Sequence, residues 1–464
     1  MTKYAPKTQN IIAFIDTEVS LTAARILDYG AILSDGCSLH TRSFSKFAAF
    51  LQDSCYLCGH NLLAHDIPYL KKEYQRSVPA APYTDADAAQ PFLALQNTRI
   101  IDTLYLSPLL FPRRPYHALV KDDKLQTEEL NNPVNDARKA SELFYDACHA
   151  FAQLPRELGE IYRSLLWDID EFAGFFTYLG GTGKEDAACQ IRRFFAGMIC
   201  EHVDLEQIVC RDPVVLAYCL ALIYAQDKYS LIPGWVHRNF PQVETLMARL
   251  RGIPCKEGCA YCERELGAVR WLKALFGYDS FRDYDGVPLQ ERAVQAAIRQ
   301  ESLLAVFPTG GGKSLTFQLP ALIAGEAAGE LTVVISPLQS LMMDQVENLK
   351  KRGIADAVTV NGLLSPLERA ETFERLENGL ATLLYISPEM LRSKTVEQIL
   401  LKRSIARFVI DEAHCFSAWG QDFRVDYLYI GDFIKELQEK KGISHPIPVS
   451  CFTATAKQDV IRDI

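Results

Sequence analysis

The chain has 464 residues, of which 48% are hydrophobic and 23% charged, with a formal net charge of −9. That length accommodates two or three domains, each with its own core. The acidity argues against a non-specific polyanion binder, which leaves nucleic-acid contacts to local patches such as Arg113, Arg114, Lys121 and Lys124, Arg192 with Arg193, or Arg249 with Arg251.

The longest apolar run, Val214 to Ala225, is about half the roughly 20 residues a bilayer span needs. The N-terminus, MTKYAPKTQN, holds no secretory signal, so a cytoplasmic protein without a membrane partner is expected. The 13 cysteines, an odd number, read as reduced thiols plus a metal site rather than a disulfide framework.

In chain order, NIIAFIDTE (Asn10 to Glu18) reads as a buried first strand that ends in acids. Strand alternation puts Asp16 and Glu18 on one side, with Thr17 between them. Further acids follow at Asp66, in GHNLLAHDIPYL, and at Asp136, in NNPVNDARKASELF, with the strand-like IIDTLYL (Ile100 to Leu106) between them. Four carboxylates gathered by folding repel one another unless cations neutralise them. Two ions about 3.5–4 Å apart can stabilise both the attacking and the leaving oxygen of a phosphodiester displacement.

This ordered set resembles the DnaQ-like (DEDD) 3′–5′ exonucleases, with Asp16 and Glu18 as the first motif, Asp66 as the second and Asp136 as the third. The resemblance implies an RNase H-like domain over residues 1–154, with these four acids as catalytic residues that bind Mg²⁺ or Mn²⁺. The family's general-base histidine falls on Asn131 here, and the tyrosine of the sister subclass falls on Asn132. His117 and His65 are the candidate substitutes. A positioned base contributes about 10²- to 10⁴-fold, while metal-bound water is already acidified, so a slow nuclease is expected rather than a dead one.

Residues 155–275 read as a mostly helical connector, with apolar residues at three and four spacing through Ile161 to Leu179 and Val214 to Tyr224. It closes on PCKEGCAYCERE, which supplies Cys255, Cys259 and Cys262. Radical S-adenosylmethionine enzymes use the same CxxxCxxC spacing, but they need a long barrel downstream, and a glycine loop arrives within about fifty residues. Structural Zn²⁺ suits the thiolates, and a four-cysteine iron–sulfur cluster is the other reading. A fourth ligand could be His237, Cys210, Cys200 or Cys189.

The apolar run Ser302 to Phe307 leads into FPTGGGKSL, followed by a helical pattern from Ser314. Strand, glycine loop and helix in that order make a phosphate cradle. Gly310, Gly311 and Gly312 let backbone N–H groups close on phosphates, Lys313 holds the outer phosphates, and Ser314 ligates Mg²⁺. The usual leading glycine is Phe307 here.

Ser365, Pro366 and Glu368 predict a capping box that starts a helix, closed by Gly379, before a strand over Ala381 to Ile386. The buried run Ile405 to Ile410 then delivers Asp411 and Glu412 to the carboxyl edge of a parallel sheet. There Asp411 can hold the metal and Glu412 can orient and deprotonate water. Past His414 come Phe416, Trp419, Phe423 and Arg424, an aromatic loop on which bases can stack, although Phe423 reads equally well as core.

With SPLQSLMMDQ (Ser336 to Gln345), YISPEML (Tyr385 to Leu391) and FTATA (Phe452 to Ala456), this C-terminal part resembles the first motor lobe of RecQ-family DNA helicases. The resemblance implies a RecA-like P-loop domain over 276–464. It adds Thr309 and the adenine-reading Gln290 to the ATP site, and it makes the loop after His414 the DNA-coupling element. It also departs from the family: Phe281 and Arg282 are separated from Gln290 by DYDGVPL, so the adenine pocket is assembled differently. The chain ends at Ile464, just after FTATA, before the second lobe and its arginine finger, so residues 1–464 alone are expected to hydrolyse ATP slowly.

The expected whole is an α/β nuclease-helicase: exonuclease domain 1–154, helical connector with a Zn²⁺ site 155–275, and motor lobe 276–464. ATP and Mg²⁺ (or Mn²⁺) serve as cofactors, and single-stranded DNA and duplex with a 3′ end serve as partners. The competing expectation is a DNA-binding or scaffolding protein with a degenerate nuclease fold.

Overall fold

The computed structural model describes residues 11–20, 24–77, 98–114, 116–117, 119, 132–181, 183, 186–225, 231–308, 310–416, 425–443, 445–454 and 461. The chain divides into two units, 1–194 with 209–217 and 195–208 with 218–464. The connector expected over 155–275 is therefore shared between the two.

In the first unit, β1 (Ile12–Ser20), β2 (Arg25–Leu33) and β3 (Ser38–Thr41) form an antiparallel meander. On the other side of β1, β4 (Tyr56–Gly59) and β5 (Arg99–Asp102) add in parallel, for the order β3-β2-β1-β4-β5. Helix Pro133–Gln153 crosses β1 and β2, burying Val134, Ala137, Ala140 and Phe144. Its entry depends on Gly30, the residue paired with Asp16 across the β1–β2 ladder. A Cβ on Gly30 would lie 2.3 Å from the backbone carbon of Pro133, so only glycine lets the helix start there.

The run Ile161 to Leu179 is two helices, Arg156–Leu166 and Asp170–Leu179, which break at Trp167–Ile169. The second packs on β5, with Gly174 against the Ile100 carbonyl and Phe172 edge-on to Tyr105.

The second unit is built on a six-stranded sheet of β6 (Leu303–Val306), β7 (Leu331–Ile335), β8 (Ala357–Val360), β9 (Leu383–Ile386), β10 (Ile405–Ile410) and β11 (Val449–Thr453), in the order β6-β11-β10-β7-β9-β8. Every pairing is parallel. The fully buried runs of β7, β9 and β10 are what a parallel sheet covered on both faces demands. The strand expected from Ala381 begins at Leu383, because the Ala381 carbonyl accepts a bond from the buried Arg403 guanidinium instead of joining the ladder. The helix Pro366–Glu377 starts from the Ser365–Glu368 capping box and is followed by Gly379 at φ +74°. Among the described residues no single helix is long and apolar enough to cross a membrane.

Candidate functional site

The motor-type site sits at the carboxyl ends of β6, β11 and β10. The glycine loop leaves β6, with Gly310 at φ +73° and Gly312 at φ +69°, and Ser314 caps the helix Leu315–Ala328. From β10, Asp411 and Glu412 reach the same point: Lys313 Nζ lies 2.7 Å from Asp411 Oδ1 and 2.7 Å from Glu412 Oε1. Burial disfavours the Lys313 charge, but the two carboxylates outweigh it and hold its pKa above the usual lysine range. Glu412 adopts φ +50°, a left-handed conformation that a non-glycine residue takes only when its surroundings impose it.

β11 lies between the two loops and touches both. The Thr453 carbonyl accepts the Phe307 N–H at 3.0 Å, and its hydroxyl is 3.4 Å from His414 Nδ1. His414 Nδ1 is in turn 3.2 Å from Glu412 Oε2. A second polar chain runs from the nucleotide-loop helix outward: Gln318 donates to Gln345 Oε1 at 2.8 Å and to the Tyr385 hydroxyl at 2.9 Å, which joins the stretches beginning at Ser336 and Tyr385.

The extra residues before Gln290 make a turn. Tyr284 and Val287 exchange both backbone bonds around Asp285 at φ +50° and Gly286 at φ +82°, the two positive angles of a type I′ hairpin turn. This turn sets the Tyr284 ring edge-on to Phe307, with its hydroxyl donating to the Gly311 carbonyl. Gln290 is buried, accepts the Arg282 N–H at 2.9 Å and donates to the Gly312 carbonyl at 3.1 Å. Its amide therefore braces the glycine loop. The Asp-Gly pair was the sequence signal for this turn; Tyr284 itself carries none.

In the first unit Asp16, Glu18 and Asp136 offer carboxylate oxygens within 4.8 Å of one another. Asp66 bonds the residue between Asp16 and Glu18. It is 2% exposed, and its Oδ1 accepts both the Thr17 N–H at 2.9 Å and the Thr17 hydroxyl at 2.6 Å. Its Oδ2 lies 3.6 Å from His65 Nδ1. The neighbouring Asp66 carboxylate raises the His65 pKa, against the effect of partial burial.

His117 is a packing histidine: buried, 2.7 Å from the Ser107 hydroxyl, and lowered to about 4 by burial. Asn132 caps its helix by accepting the Val134 N–H. An open groove of about 780 Å³ runs beside Glu18, lined by both signs of charge: Arg25, Arg42 and Arg76 with Asp28 and Glu73, the last paired to Arg76 at 2.8 Å.

Of the four candidates for a fourth cysteine-cluster ligand, the structure brings one to the others: Cys200, Cys255, Cys259 and Cys262 have sulfurs within 4.8 Å of each other. Cys189 and Cys210 are exposed elsewhere. His237 is buried against Glu244, which also bonds Lys441 at 2.8 Å. Burial pushes the Cys200 thiol up to about 11. Burial pushes Cys259 the same way, but N–H groups of Cys262 and Glu201 outweigh it and hold that thiol below its usual value.

Phe416 packs edge-on to Tyr427 and is partly core. Thr309, Asn131, Trp419, Phe423, Arg424, Lys121 and Lys124 lie outside the described residues.

A glycine loop and an acidic pair meeting through one lysine at the edge of a parallel sheet define a P-loop nucleotide-hydrolase lobe. Residues 287–464 match the DEAD/DEAH box helicase family, and the relatives this segment resembles include DNA helicases named RecS and RecQ. It is 39% identical over 193 residues to the probable ATP-dependent DNA helicase RecS of Bacillus subtilis, covering 42% of this chain and 35% of that protein. It is 42% identical over 199 residues to the ATP-dependent helicase SGS1 of Saccharomyces cerevisiae, covering 42% of this chain and 13% of that protein.

Among solved structures, the DUF1998 helicase MrfA aligns at 21% identity and TM-score 0.34, over 42% of this chain and 27% of that one. The chain spans between 13% and 36% of the length of the curated relatives it matches.

Proposed function

We propose that the protein is a DNA-processing nuclease-helicase, in which an ATP-driven 3′–5′ motor of RecQ type acts alongside a metal-dependent 3′–5′ exonuclease. The observation that carries the motor is the Lys313 ammonium 2.7 Å from both Asp411 and Glu412. The acids hold the lysine that a triphosphate would claim. A bound triphosphate would take those contacts at Lys313, Asp411 with Ser314 would hold Mg²⁺, and Glu412 would orient water. His414 and Thr453 then link Glu412 to β11, and Gln318 links the nucleotide helix to Gln345 and Tyr385. These are routes by which phosphate state can reach a bound strand.

ATP hydrolysis by the full-length protein, with and without single-stranded DNA, tests this. Glu412→Gln should bind nucleotide yet lose about 10²- to 10⁴-fold in hydrolysis. Hydrolysis that DNA does not stimulate would sink the motor reading.

The exonuclease reading rests on Asp16, Glu18 and Asp136 meeting within 4.8 Å on the β3-β2-β1-β4-β5 sheet, an order and strand sense that suit an RNase H-like domain. Three carboxylates that close form a hard-oxygen donor set suited to Mg²⁺ or Mn²⁺. Bound there, the ions would acidify water and stabilise the leaving oxygen. Asp66 holds Thr17 and so fixes the strand that carries Asp16 and Glu18.

End-labelled single-stranded DNA should be shortened from its 3′ end with Mg²⁺ or Mn²⁺, and Asp16→Ala should abolish this. Retention of label with the wild-type protein favours a binding or scaffolding role instead. We read the cysteine cluster as a structural Zn²⁺ site.

A further inference from the structure

We propose that Cys200, Cys255, Cys259 and Cys262 form a closed, single-ion tetrathiolate site, with Cys200 as the fourth ligand, and that this site clasps the helical segment to the nucleotide-binding helix of the motor. The proposal deepens the zinc reading above and rests on it.

Size decides between one ion and a cluster. A tetrahedral ion with metal–sulfur bonds of about 2.3 Å sets its four sulfurs roughly 3.8 Å apart. The sulfurs here lie within 4.8 Å of one another, and Cys259 Sγ is 4.0 Å from Cys200 Sγ. A cubane iron–sulfur cluster attaches each thiolate to a different iron and spreads the sulfurs farther. Four thiolates leave no open position, which marks a structural site rather than a catalytic one.

The surroundings are shaped for it. Gly258 at φ +76° turns the chain between Cys255 and Cys259. The Cys262 N–H points at Cys259 Sγ at 3.5 Å, and His202 Nδ1 lies 3.3 Å from Cys255 Sγ as an outer partner.

Cys200 and Cys259 are 59 positions apart, so an ion shared by them closes a long loop, the case in which a cross-link restricts the unfolded chain most. The clasp reaches the motor through the backbone. The Cys200 N–H bonds the Leu250 carbonyl at 2.8 Å, and Tyr261 bonds Arg251. Leu250 and Arg251 belong to the turn Ala248–Gly252, which packs against Leu315–Ala328, the helix that begins at the glycine loop.

The test uses the full chain, with metal content by mass spectrometry, Co²⁺ substitution read by absorption, and thermal unfolding. Wild type should hold one equivalent of zinc, and its Co²⁺ form should show the intense sulfur-to-metal charge transfer of four thiolates. Losing an outer-shell partner costs about 10- to 100-fold in metal affinity, so Cys200→Ser should lose at least about tenfold against a competing chelator, with weakened charge-transfer bands and a lower unfolding temperature. Cys210→Ser should change nothing. Cys200→His, which can still ligate, should keep the ion with a shifted Co²⁺ spectrum, so a Cys200→Ser protein that fails to fold still leaves a reading.

Wild type without metal overturns the zinc reading itself. Zinc-loaded protein with an unchanged Co²⁺ spectrum in both Cys200 variants overturns the role of Cys200 alone. Iron with acid-labile sulfide overturns the single ion, and an unfolding temperature that ignores metal removal overturns the clasp.

Discussion

The two carboxylate sites solve the same electrostatic problem in different ways. In the motor lobe, Asp411 and Glu412 are partly neutralised from within, by one lysine that the neighbouring glycine loop delivers to 2.7 Å from each. In the first unit, Asp16 and Glu18 from β1 and Asp136 from helix Pro133–Gln153 converge within 4.8 Å, a charge arrangement that a divalent ion completes. A site with its own counter-ion is set before its ligand arrives, and the ligand must displace an existing contact. A site of gathered acids gains stability when its ion arrives. The comparison teaches that the motor site should be sensitive to nucleotide and the acid site to metal, each with little regard for the other.

The strongest way to break that independence is to disable the acid site and read both activities. Asp16→Ala should lower metal-dependent cleavage by at least about 10²- to 10³-fold, the usual cost of removing one electrostatic stabiliser, with nucleotide affinity unchanged. Cleavage and nucleotide titration on the same preparation check this, and loss of both would show the sites to be coupled.

Next in size is the metal itself. Mg²⁺ or Mn²⁺ at a hundredfold its dissociation constant should stabilise the first unit by about 2.7 kcal/mol, visible as a rise in its unfolding temperature that Asp136→Asn removes. Lys313→Ala should then weaken Mg–ATP binding by about 1.5–3 kcal/mol, roughly 10- to 150-fold, the range for a hydrogen bond to a charged group. A fluorescent nucleotide titration reads it, with cleavage as the control that should not move. Gly30→Ala, whose new Cβ would lie 2.3 Å from the Pro133 backbone, should cost about 1–3 kcal/mol and weaken cleavage by moving Asp136 away from Asp16.

How much of this was legible in the sequence depends on how local each cause is. The strand Ile405–Ile410 is a continuous apolar run and appears with the expected bounds. The capping box at Ser365 is a four-residue signal and forms as read. Lys313 and the Asp411–Glu412 pair could be expected to meet because each follows a strand of one parallel sheet, and such strands all end at one edge.

What could not be read was tertiary. Asp66, the fourth acid of the motif set, gives its Oδ1 to Thr17, a pairing 49 positions distant that no spacing rule announces. Cys200 was one of four equal candidates until folding brought its sulfur within 4.0 Å of Cys259. Tyr284 carried no signal, although the Asp285–Gly286 turn that places it did. The Lys441–Glu244–His237 network had no local sign at all.

The smallest effect gives the finest contrast between the regions, because both start a helix with the same device, a polar cap followed by proline at the first position. Ser365 accepts the Glu368 N–H at the head of Pro366–Glu377, and Asn132 accepts the Val134 N–H at the head of Pro133–Gln153. Replacing either by alanine should cost about 1 kcal/mol in stability, read as a shift in denaturant midpoint. The consequences should then diverge. The helix after Asn132 carries Asp136 in its first turn, so fraying there moves a carboxylate of the acid cluster and should lower cleavage beyond what the stability loss explains. The helix after Ser365 carries none of the residues around Lys313, so Ser365→Ala should leave nucleotide binding as it was. Equal functional loss in both variants, or none in Asn132→Ala, would mean that Asp136 does not take its position from the cap.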